Sequence, residues 1–468
     1  MLALYDTAAR GVRSLDVGQD RLFRLYVCGP TVYELPHVGH GRALLVYDVL
    51  RRYLEGRGVP VRHVSNVTDV DDKIIARALS EGETPEAIAA RYEEEWWAAS
   101  DRLGVLRPSS APRATEYIEE MVGLIAELVA ARVAYEAPDG VYLETGKVSD
   151  YGLLTPQALA DLRAGARVET VAGKRSPLDF ALWKLAKPAE PAWPSPWGAG
   201  RPGWHTECVV MALDLLGEDF DLHAGGTDLR FPHHENERAQ ASALGRGFAR
   251  HWMHHEMVNA AGGEKMARSA GNFTTLTELL DEVDPRAYRL LVLRAQYRQP
   301  MEVSPAALAD ATAGLARLDA LARRLLAPGG SAPGGSGSGG SAPGGIAADP
   351  AVLERFGACL ADDLDTPGAA AVLFDAVRAA NAAADAGDNE TAAGLARAVE
   401  AAAAWVGLPL RGGRAEVPEA IQELVARRER ARTARDFAAA DRLRDELARA
   451  GWAVEDTPAG SLVRPSSA

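Results

Sequence analysis

The chain has 468 residues, of which 47% are hydrophobic and 25% charged, values typical of a globular protein with about three domains. We expect no membrane span, because the chain lacks an apolar run of about 18 residues, and no secretory signal, because the N-terminus lacks a basic segment followed by an apolar one. The three cysteines are too few for a disulfide framework and favour a cytoplasmic protein with reduced thiols. The net charge of −14 argues against a basic DNA-binding protein but leaves room for a local basic patch.

A βαβ unit is predicted near the N-terminus. Residues 22–29 have the apolar character of a buried strand, and residues 39–57 carry apolar side chains at helical spacing. Gly58 then stands where a helix ends, and residues 59–68 form the next predicted strand. A strand, a helix and a strand in this order predict a parallel sheet.

The middle of the chain alternates helical segments with one irregular region. Residues 72–133 have mainly helical patterns, whereas residues 135–200 are mixed, rich in Pro and Gly, and typical of an insertion. Sheet-like sequence resumes at 219–226, and a helical segment that contains HHENERAQ follows. A glycine-bracketed loop is predicted at 261–272.

The last third of the chain begins with a compositional break. Residues 326–345 contain no charged or aromatic residue and consist mainly of Gly, Ser, Ala and Pro, which predicts a flexible linker. Ala-rich helical segments follow at 348–406, and a short tail domain begins at about residue 410. From Arg411 to Arg464 the tail has eleven Arg, no Lys and ten Asp or Glu, so it is the least acidic stretch. Its Arg-dense helix is either a solvated helix with ion pairs or a contact for phosphate.

A candidate nucleotide site lies at PHVGHGR (36–42), at the turn between the first predicted strand and its helix. Open parallel sheets bind ligands at the carboxyl ends of strands, next to helix N-termini that favour phosphate. His37 and His40 project to the same side of a helix, where each can donate a hydrogen bond to a triphosphate. Gly39 lets an adenine or ribose lie against the backbone. Alone, the pattern also fits two surface histidines at a helix start.

Two cations three residues apart, Lys265 and Arg268, lie in the glycine-bracketed loop, in the string KMARS. They can neutralise the charge that develops on a leaving pyrophosphate, and the flanking glycines suit a segment that moves. Alone, the string also fits an ordinary basic loop.

Thiolate, imidazole and carboxylate groups are the common ligands of zinc. Four residues are candidates: Cys28, Cys208, His233 and Glu237. Cys28 ends the first predicted strand, Cys208 lies just before a predicted helix, and the other two are four apart on a predicted helix, so all can converge at one sheet edge. Spacing does not decide between them and the neighbouring His234 and Glu235. The alternative is that the cysteines are small core residues and the His–Glu pair lies on the surface.

The two nucleotide motifs occur in the order of the two signatures of class I aminoacyl-tRNA synthetases, which they resemble. The usual second signature is KMSKS, and this chain departs from it at Ala267 and Arg268. Arginine keeps the charge of lysine but is planar and forked. We therefore expect an altered contact geometry and retained activity.

The chain also resembles cysteinyl-tRNA synthetases over nearly its whole length, except at 326–347. The resemblance is carried by YVCGPTVY, HVGH, NVTDVDDKI, SPLDFALWK, GRPGWHTEC, FPHHENE and DFAAADRLRDEL. It implies ATP-dependent ligation of L-cysteine to cysteine tRNA, with Mg²⁺ on the ATP and a single zinc ion in the chain. A cytoplasmic monomer that acts in protein biosynthesis is the expectation for this family.

The resemblance implies roles for individual residues. The zinc ligands fall on Cys28, Cys208, His233 and Glu237, which selects His233 over His234. The catalytic residues fall on His37, His40, Lys265 and Arg268. The ATP-binding residues are these four together with Gly29 and Gly39. The residues of the cysteine pocket fall on Thr68, Trp204, His223 and Asp228.

The implied fold is α/β, with a Rossmann-like parallel-sheet catalytic domain, an α/β insertion, a helical-bundle tRNA-binding region and a small C-terminal domain. The expected parts follow one another along the chain: the first catalytic half at 1–115, the connective insertion at 116–202, the second catalytic half at 203–260, the signature loop and stem-contact region at 261–325, the linker at 326–347, the helical tRNA-binding domain at 348–408 and the anticodon-binding domain at 409–468.

Substrate selection explains why such an enzyme would use a metal. Cysteine and serine are nearly isosteric, so a steric pocket separates them poorly. Zinc binds thiolate strongly and lowers the thiol pKa from its free value of about 8.5, whereas a serine hydroxyl is a poorer ligand. A separate editing domain is therefore not expected.

Two other functions fit parts of the sequence. A cysteine:amino-sugar ligase of mycothiol synthesis shares the activation core, but it differs at HHENE and typically lacks the tail. A non-catalytic, synthetase-like RNA-binding paralogue would be favoured by the loss of a ligand or signature residue. This chain keeps HHENE and the tail, which disfavours the first alternative. It loses no ligand or signature residue apart from the change at Arg268, which disfavours the second.

Overall fold

The computed structural model describes the following residues: 2–17, 21–155, 173–188, 190–259, 262, 274–326, 346–411, 419–434, 436–450, 452–457 and 460–465. Lys265, Arg268 and most of the predicted linker lie outside these ranges. No helix in the described ranges combines the length and apolarity that crossing a membrane requires.

Strands and helices alternate through the first 300 residues, and helices dominate afterwards. The strands of the described residues are β1 Ala3–Asp6, β2 Gly11–Ser14, β3 Phe23–Val27, β4 Val61–Val64, β5 Ala134–Ala137, β6 Gly140–Leu143, β7 Phe180–Leu185, β8 Gly200–Pro202, β9 Leu222–Gly226, β10 Trp252–His255, β11 Val258–Asn259, β12 Met301–Glu302, β13 Trp452–Thr457 and β14 Gly460–Pro465. The α-helices are α1 Val38–Gly56, α2 Asp72–Glu81, α3 Pro85–Arg102, α4 Ile118–Ala130, α5 Trp204–Leu216, α6 Glu235–Ala243, α7 Leu276–Glu282, α8 Pro285–Leu293, α9 Pro305–Leu325, α10 Pro350–Ala361, α11 Thr366–Asp385, α12 Asn389–Trp405, α13 Glu419–Thr433 and α14 Phe437–Arg449.

A four-stranded parallel sheet in the order β10-β9-β3-β4 lies at the centre of the α/β part of the chain. The predicted βαβ unit is confirmed as β3, α1 and β4. Strand β4 is shorter than expected, because residues 65–68 leave the ladder and make only isolated bridges. The strand order reverses at β3, with β4 on one side and β9 on the other. Ligands of open α/β sheets bind at such a reversal, outside the carboxyl ends of the strands.

The insertion has a sheet of its own. Strands β5, β6, β7 and β8 pair antiparallel in chain order and pack with α4 and α5 around the fully buried Trp183. Since these strands do not join the parallel sheet, the prediction of an α/β insertion is confirmed. Sequence patterns missed the short strands β1, β2, β10, β13 and β14. Their lengths of four to six residues give little room for a period to show.

Several helices begin at a capping side chain followed directly by proline. In α3 and α9 the hydroxyl of the cap residue, Thr84 or Ser304, accepts a hydrogen bond from a backbone N–H in the first turn. In α8 and α10 an aspartate, Asp284 or Asp349, does the same. Proline suits the first helical position because its missing N–H would have no partner there. The boundaries of these helices are therefore set locally by a residue pair.

A buried ion pair lies where α1, α8 and the residues after α12 meet. Arg289 of α8 and Asp48 of α1 are 1% and 0% exposed at their side chains and lie 2.5 Å apart. Arg289 also donates to the carbonyl oxygen of Val406, which follows α12, and to that of Leu103, which follows α3. One guanidinium thus holds four chain segments together.

We expect Asp48→Asn to destabilise the protein by about 3–5 kcal/mol, because it leaves the charge of Arg289 buried without a carboxylate. The control is Asp375→Asn, which breaks a surface pair with Arg378, a side chain that is 72% exposed. The control substitution should lower the free energy of unfolding by about 1 kcal/mol or less. Urea unfolding followed by tryptophan fluorescence measures both, and equal midpoints for the two variants would contradict the prediction.

Candidate functional site

The HVGH motif starts α1 at the carboxyl edge of the parallel sheet. His37 is the N-cap residue and His40 lies in the first turn, and their rings stack with centroids 3.7 Å apart. The backbone N–H of His37 donates to Nδ1 of His40 at 3.2 Å, so the proton of a neutral His40 ring sits on Nε2. Burial, and to a lesser extent the electrostatic influence of the neighbouring His37, lower the pKa of His40 well below 6.5, so its ring is neutral at pH 7. A Cβ atom at Gly39 would lie 2.8 Å from Cε1 of His37, so the paired rings require glycine there.

The chain returns beside this motif after the segment that contains Lys265 and Arg268. The backbone N–H of Leu276 donates to the carbonyl oxygen of Pro36 at 2.7 Å, and that of Val38 donates to Thr274 at 3.4 Å. Although the two cations lie outside the described residues, the residues that follow them are held against the first signature.

Four donor side chains converge beyond the ends of β3 and β9: Cys28, Cys208, His233 and Glu237. The two sulfurs lie 3.8 Å apart, and Cys28 Sγ lies 3.5 Å from Glu237 Oε1. His233 Nε2 lies 3.7 Å from Cys208 Sγ and 3.0 Å from Glu237 Oε1. Zinc bonds of about 2.0–2.3 Å in a tetrahedron place neighbouring ligand atoms about 3.3–3.8 Å apart. The observed separations are therefore close to those around one tetrahedral ion.

The local structure that brings these donors together differs in two places from the expectation. Cys208 was expected just before a helix but lies inside α5, because that helix begins earlier, at Trp204. His233 was expected on the same helix as Glu237, but it belongs to a π-helical turn, Arg230–His234, that precedes α6 and contains an extended residue. The tertiary fold packs this turn against α5, which overrides the simple helical spacing.

A second set of donors overlaps the first. Cys28 and Glu237 also group with His223 and His234. His223 Nε2 lies 2.7 Å from Glu237 Oε2, and His234 Nε2 lies 3.2 Å from Cys28 Sγ. The first set offers two thiols to a metal, whereas this set offers one.

The members of the first donor set shift one another's pKa values. Burial opposes ionisation of Cys208, but hydrogen bonds from Cys28 and His233 outweigh it and lower the pKa of the Cys208 thiol to about 6. Burial raises the pKa of Cys28, and the neighbouring Cys208 and Glu237 raise it further. Burial alone would lower the pKa of His233, but the negative charge of Glu237 raises it to about 10. Without a metal, the imidazolium of His233 therefore balances one of the two negative charges beside it, which are those of the Glu237 carboxylate and the Cys208 thiolate.

Three of the four predicted cysteine-pocket residues contact this cluster or a residue that contacts it. The ring of Trp204 stacks on that of His233 with centroids 4.0 Å apart. The Thr68 hydroxyl is buried and donates to Glu207 Oε2 at 2.7 Å. His223 lies on β9 and contacts the cluster through Glu237, whereas Asp228 is exposed in the turn after that strand.

Sequence reasoning missed several residues that support the cluster. Asn66 Oδ1 accepts from the N–H of Gly29 at 2.9 Å and lies 3.7 Å from Cys208 Sγ, and its amide donates to Thr68. A Cβ atom at Gly29 would lie 1.6 Å from the carbonyl oxygen of Asn66, so this close approach requires glycine. His205 Nδ1 lies 2.9 Å from His233 Nδ1. The motifs NVTDVDD and GWHTEC contain Asn66 and His205, but single positions in them carry no sign of spatial contact.

Solved structures of class I synthetases share this fold. Methionyl-tRNA synthetase of Mycobacterium tuberculosis bound by methionyl-adenylate matches 90% of this chain and 96% of its own with a TM-score of 0.62 at 15% identity. The Agrobacterium radiobacter LeuRS in a ternary complex with tRNA and LeuAMS matches 84% of this chain and 85% of its own, with a TM-score of 0.60 at 10% identity. At such identities the likeness concerns the fold alone, and the family model that residues 14–313 match assigns this fold to the class I aminoacyl-tRNA synthetases.

Sequence comparisons define the family. Residues 14–313 match the family of tRNA synthetases class I (C) catalytic domains, residues 355–411 the DALR domain, and residues 414–464 the cysteinyl-tRNA ligase anticodon binding domain. Cysteine–tRNA ligase of Clavibacter sepedonicus is 46% identical over 98% of each chain. That of Alkalilimnicola ehrlichii is 44% identical over 99% of this chain and 100% of its own. The chain belongs to the cysteinyl-tRNA ligase family, and the prediction of a ligase is confirmed.

The raised pKa of His233, about 10 against an ordinary 6.5, predicts a pH dependence of the metal-free protein. Its contribution to stability is complete below pH 6.5 and is lost as the pH rises toward 10, because the unfolded state releases this proton first. The lowered pKa of Cys208 adds stability over part of the same range, so the test compares the wild type with His233→Gln rather than following the wild type alone. In urea unfolding with excess chelator, the difference in the free energy of unfolding between the two proteins should shrink as the pH rises toward 10, and a difference that does not change with pH would contradict the assignment.

Proposed function

We propose that this enzyme ligates L-cysteine to its tRNA through a cysteinyl-adenylate and selects the substrate thiol with one bound zinc ion. The observation that supports this proposal most directly is a cluster of four donor side chains, Cys28, Cys208, His233 and Glu237. The cluster lies where the strand order of the parallel sheet reverses, at the same edge of the sheet as HVGH. Membership of the cysteinyl-tRNA ligase family supports the same reaction.

The donor set suits zinc. Two thiols, an imidazole and a carboxylate are all ligand types that zinc accepts, and soft sulfur ligands disfavour Mg²⁺ and Ca²⁺. Three of the four residues are at most 1% exposed. His205 contacts the far nitrogen of His233, as an outer partner that orients a ligating imidazole does. When bound, zinc would supply a Lewis acid that takes the substrate thiolate as a further ligand and rejects the serine hydroxyl.

The pocket residues would hold the remaining atoms of cysteine. Trp204, stacked on His233, presents an aromatic wall next to the metal ligands. Thr68 and His223 would place polar atoms on the other sides, and Asp228 would face the ammonium group from the turn after β9. The hydrogen bonds that Thr68 makes with Asn66 and Glu207 keep its hydroxyl in one orientation. Binding is thereby pre-organised before the substrate enters.

In the first step, a carboxylate oxygen of cysteine attacks the α-phosphorus of ATP, whose phosphates carry Mg²⁺. The bond to the α-phosphorus forms while the bond to the bridging oxygen breaks, and pyrophosphate leaves with the negative charge. His37 and His40 would donate to the phosphates, and Lys265 and Arg268 would neutralise the developing charge. Gly29 and Gly39 would allow the nucleotide to approach the backbone.

In the second step, a ribose hydroxyl of the terminal adenosine of the tRNA attacks the carbonyl carbon of the mixed anhydride. AMP leaves, and the cysteinyl ester remains on the tRNA, so no protein nucleophile is needed. The region 261–325 would contact the acceptor stem, and the domains proposed at 348–408 and 409–468 would bind the remainder of the tRNA. The proposed ligands Cys28 and Cys208 must stay reduced, which fits the reducing cytoplasm.

ATP–pyrophosphate exchange tests the activation step. We expect exchange with cysteine but not with serine, and its collapse after chelation of the metal. Removal of a residue that hydrogen-bonds a metal ligand typically lowers metal affinity or activity by about 10–100-fold. Because Cys208→Ala removes a proposed ligand itself, it should lower the exchange activity by more than this. The control Cys359→Ser, at the half-buried cysteine of α10, should keep the activity and metal content of the wild type.

The outcomes separate the parts of the proposal. Exchange that survives chelation would refute selection by zinc and leave the ligase intact. If no exchange occurs with either amino acid, the activation reaction itself is wrong.

The Arg-dense helix α13 generates a second prediction. Arg427 and Arg430 are exposed, whereas Arg428 is buried and belongs to the fold. If both exposed arginines contact phosphate, tRNA affinity should fall steeply with salt, and each replacement by alanine should reduce the salt slope by about 0.7–0.9. Filter binding at several salt concentrations measures this slope, with Arg175→Ala in the insertion as the exposed control. Equal slopes in all variants would exclude the contact.

A further inference from the structure

A buried arginine stands directly behind the first signature. Arg42 follows His40 by two residues on α1, and its side chain is 1% exposed. Its guanidinium makes no ion pair with a carboxylate within the described residues. Instead, it donates to four backbone carbonyl oxygens: Met257 at 2.9 Å, Gln296 at 3.2 Å, Tyr297 at 3.2 Å and Gln299 at 2.6 Å. Burial lowers the pKa of Arg42 to about 10, so it is still charged at pH 7.

The four carbonyls come from two segments that border the site. Met257 lies between β10 and β11, just after His255, whose carbonyl oxygen accepts from Thr227 in the turn that contains Asp228. The other three belong to the turn at 296–299, which follows α8 and is called the corner here. Arg42, which directly follows the first turn of α1, therefore connects the start of this helix with the edge of the sheet and with the corner.

The corner is held from its other side by Asp363, which is 7% exposed. Asp363 Oδ1 accepts from the hydroxyl of Tyr297 at 2.6 Å and from the N–H of Tyr5 at 2.8 Å. Its Oδ2 accepts from Arg298 Nε at 2.7 Å. Both Asp363 and the following Leu364 have positive φ, at 50° and 49°. Such backbone strain persists only where the surroundings impose it, which here are the contacts of Asp363 with the corner and with β1.

Arg42 fixes geometry as well as stability. Burial of its charge is unfavourable, and the hydrogen bonds to four carbonyl oxygens offset part of that cost. A planar fork that binds four carbonyls, however, allows one relative placement of the segments that provide them. Placement matters for catalysis, because a displacement of about 1 Å can cost about 100-fold in rate.

We propose that Arg42 is a positioning residue for cysteine activation: clamped to the corner that Asp363 holds from behind, it fixes the first turn of α1 and thereby places His37 and His40 against the nucleotide. The inference rests on the proposed function, since it assigns a task within the activation step. Tyr288 supports the same turn, because its hydroxyl donates to the carbonyl oxygen of Val38 at 2.6 Å.

The test is steady-state ATP–pyrophosphate exchange by the full-length protein with Arg42→Lys, which keeps the charge but loses the fork. We expect kcat to fall by about 10–100-fold while the KM values for cysteine and ATP stay within about threefold, because the loss concerns the transition state. The matched control is Arg52→Lys on the same helix, whose side chain pairs with Asp48 and lies away from the corner. This control should retain the kcat of the wild type.

A second variant decides the matter if Arg42→Lys does not fold. Tyr297→Phe removes one hydroxyl from the far side of the corner and should lower kcat at unchanged KM. Its control is Tyr117→Phe, which removes a hydroxyl that binds Asp214 on the surface. A folded Arg42→Lys protein with the kcat of the wild type, or with KM raised as much as kcat is lowered, would overturn the inference. If that variant does not fold, Tyr297→Phe with unaltered kinetics overturns it. A wild type without exchange would instead refute the proposed function.

Discussion

The parallel pairing of β3 with β9 is the constraint on which the site depends. The register sets Val27 opposite Ala224, and the N–H of Cys28 donates to the carbonyl oxygen of Ala224 at 3.2 Å. This pairing places Cys28 next to His223, and therefore next to Glu237, although the strands are far apart in the chain. A shift of one residue would turn every side chain of one strand to the opposite face and separate the donors.

Most of the polar side chains that gather around Glu237 in the interior are hydrogen-bonded to one another. Glu237 is fully buried, yet its two oxygens lie 2.7 Å from His223 and 3.0 Å from His233. His234 in turn binds His254, whose other nitrogen binds the hydroxyl of Thr7. Buried polar networks hold a single arrangement when their members are paired, and this rigidity suits the selection of a thiol that is proposed for the site.

Buried arginines connect this rigid centre to the rest of the molecule. Arg289 binds Asp48 together with carbonyl groups that end two helices, and Arg42 binds carbonyl groups of two segments near the first signature. Arginine suits both places because its five donors in one plane reach several acceptors at once. Segments distant in sequence are thereby held in register with α1, which carries the two histidines.

The sequence by itself determined the local features and the family. The spacing of apolar residues predicts α1, cap residues such as Thr84 and Ser304 set the start of helices, and the motifs around Cys28 identify the ligase family. Such features depend on a few neighbouring residues, and they can therefore be recognised from the sequence. Tertiary structure alone decided that Cys208 lies within a helix, that His233 precedes one, and which side chains support the cluster. These depend on packing between segments far apart in the chain, and no local pattern encodes such contacts.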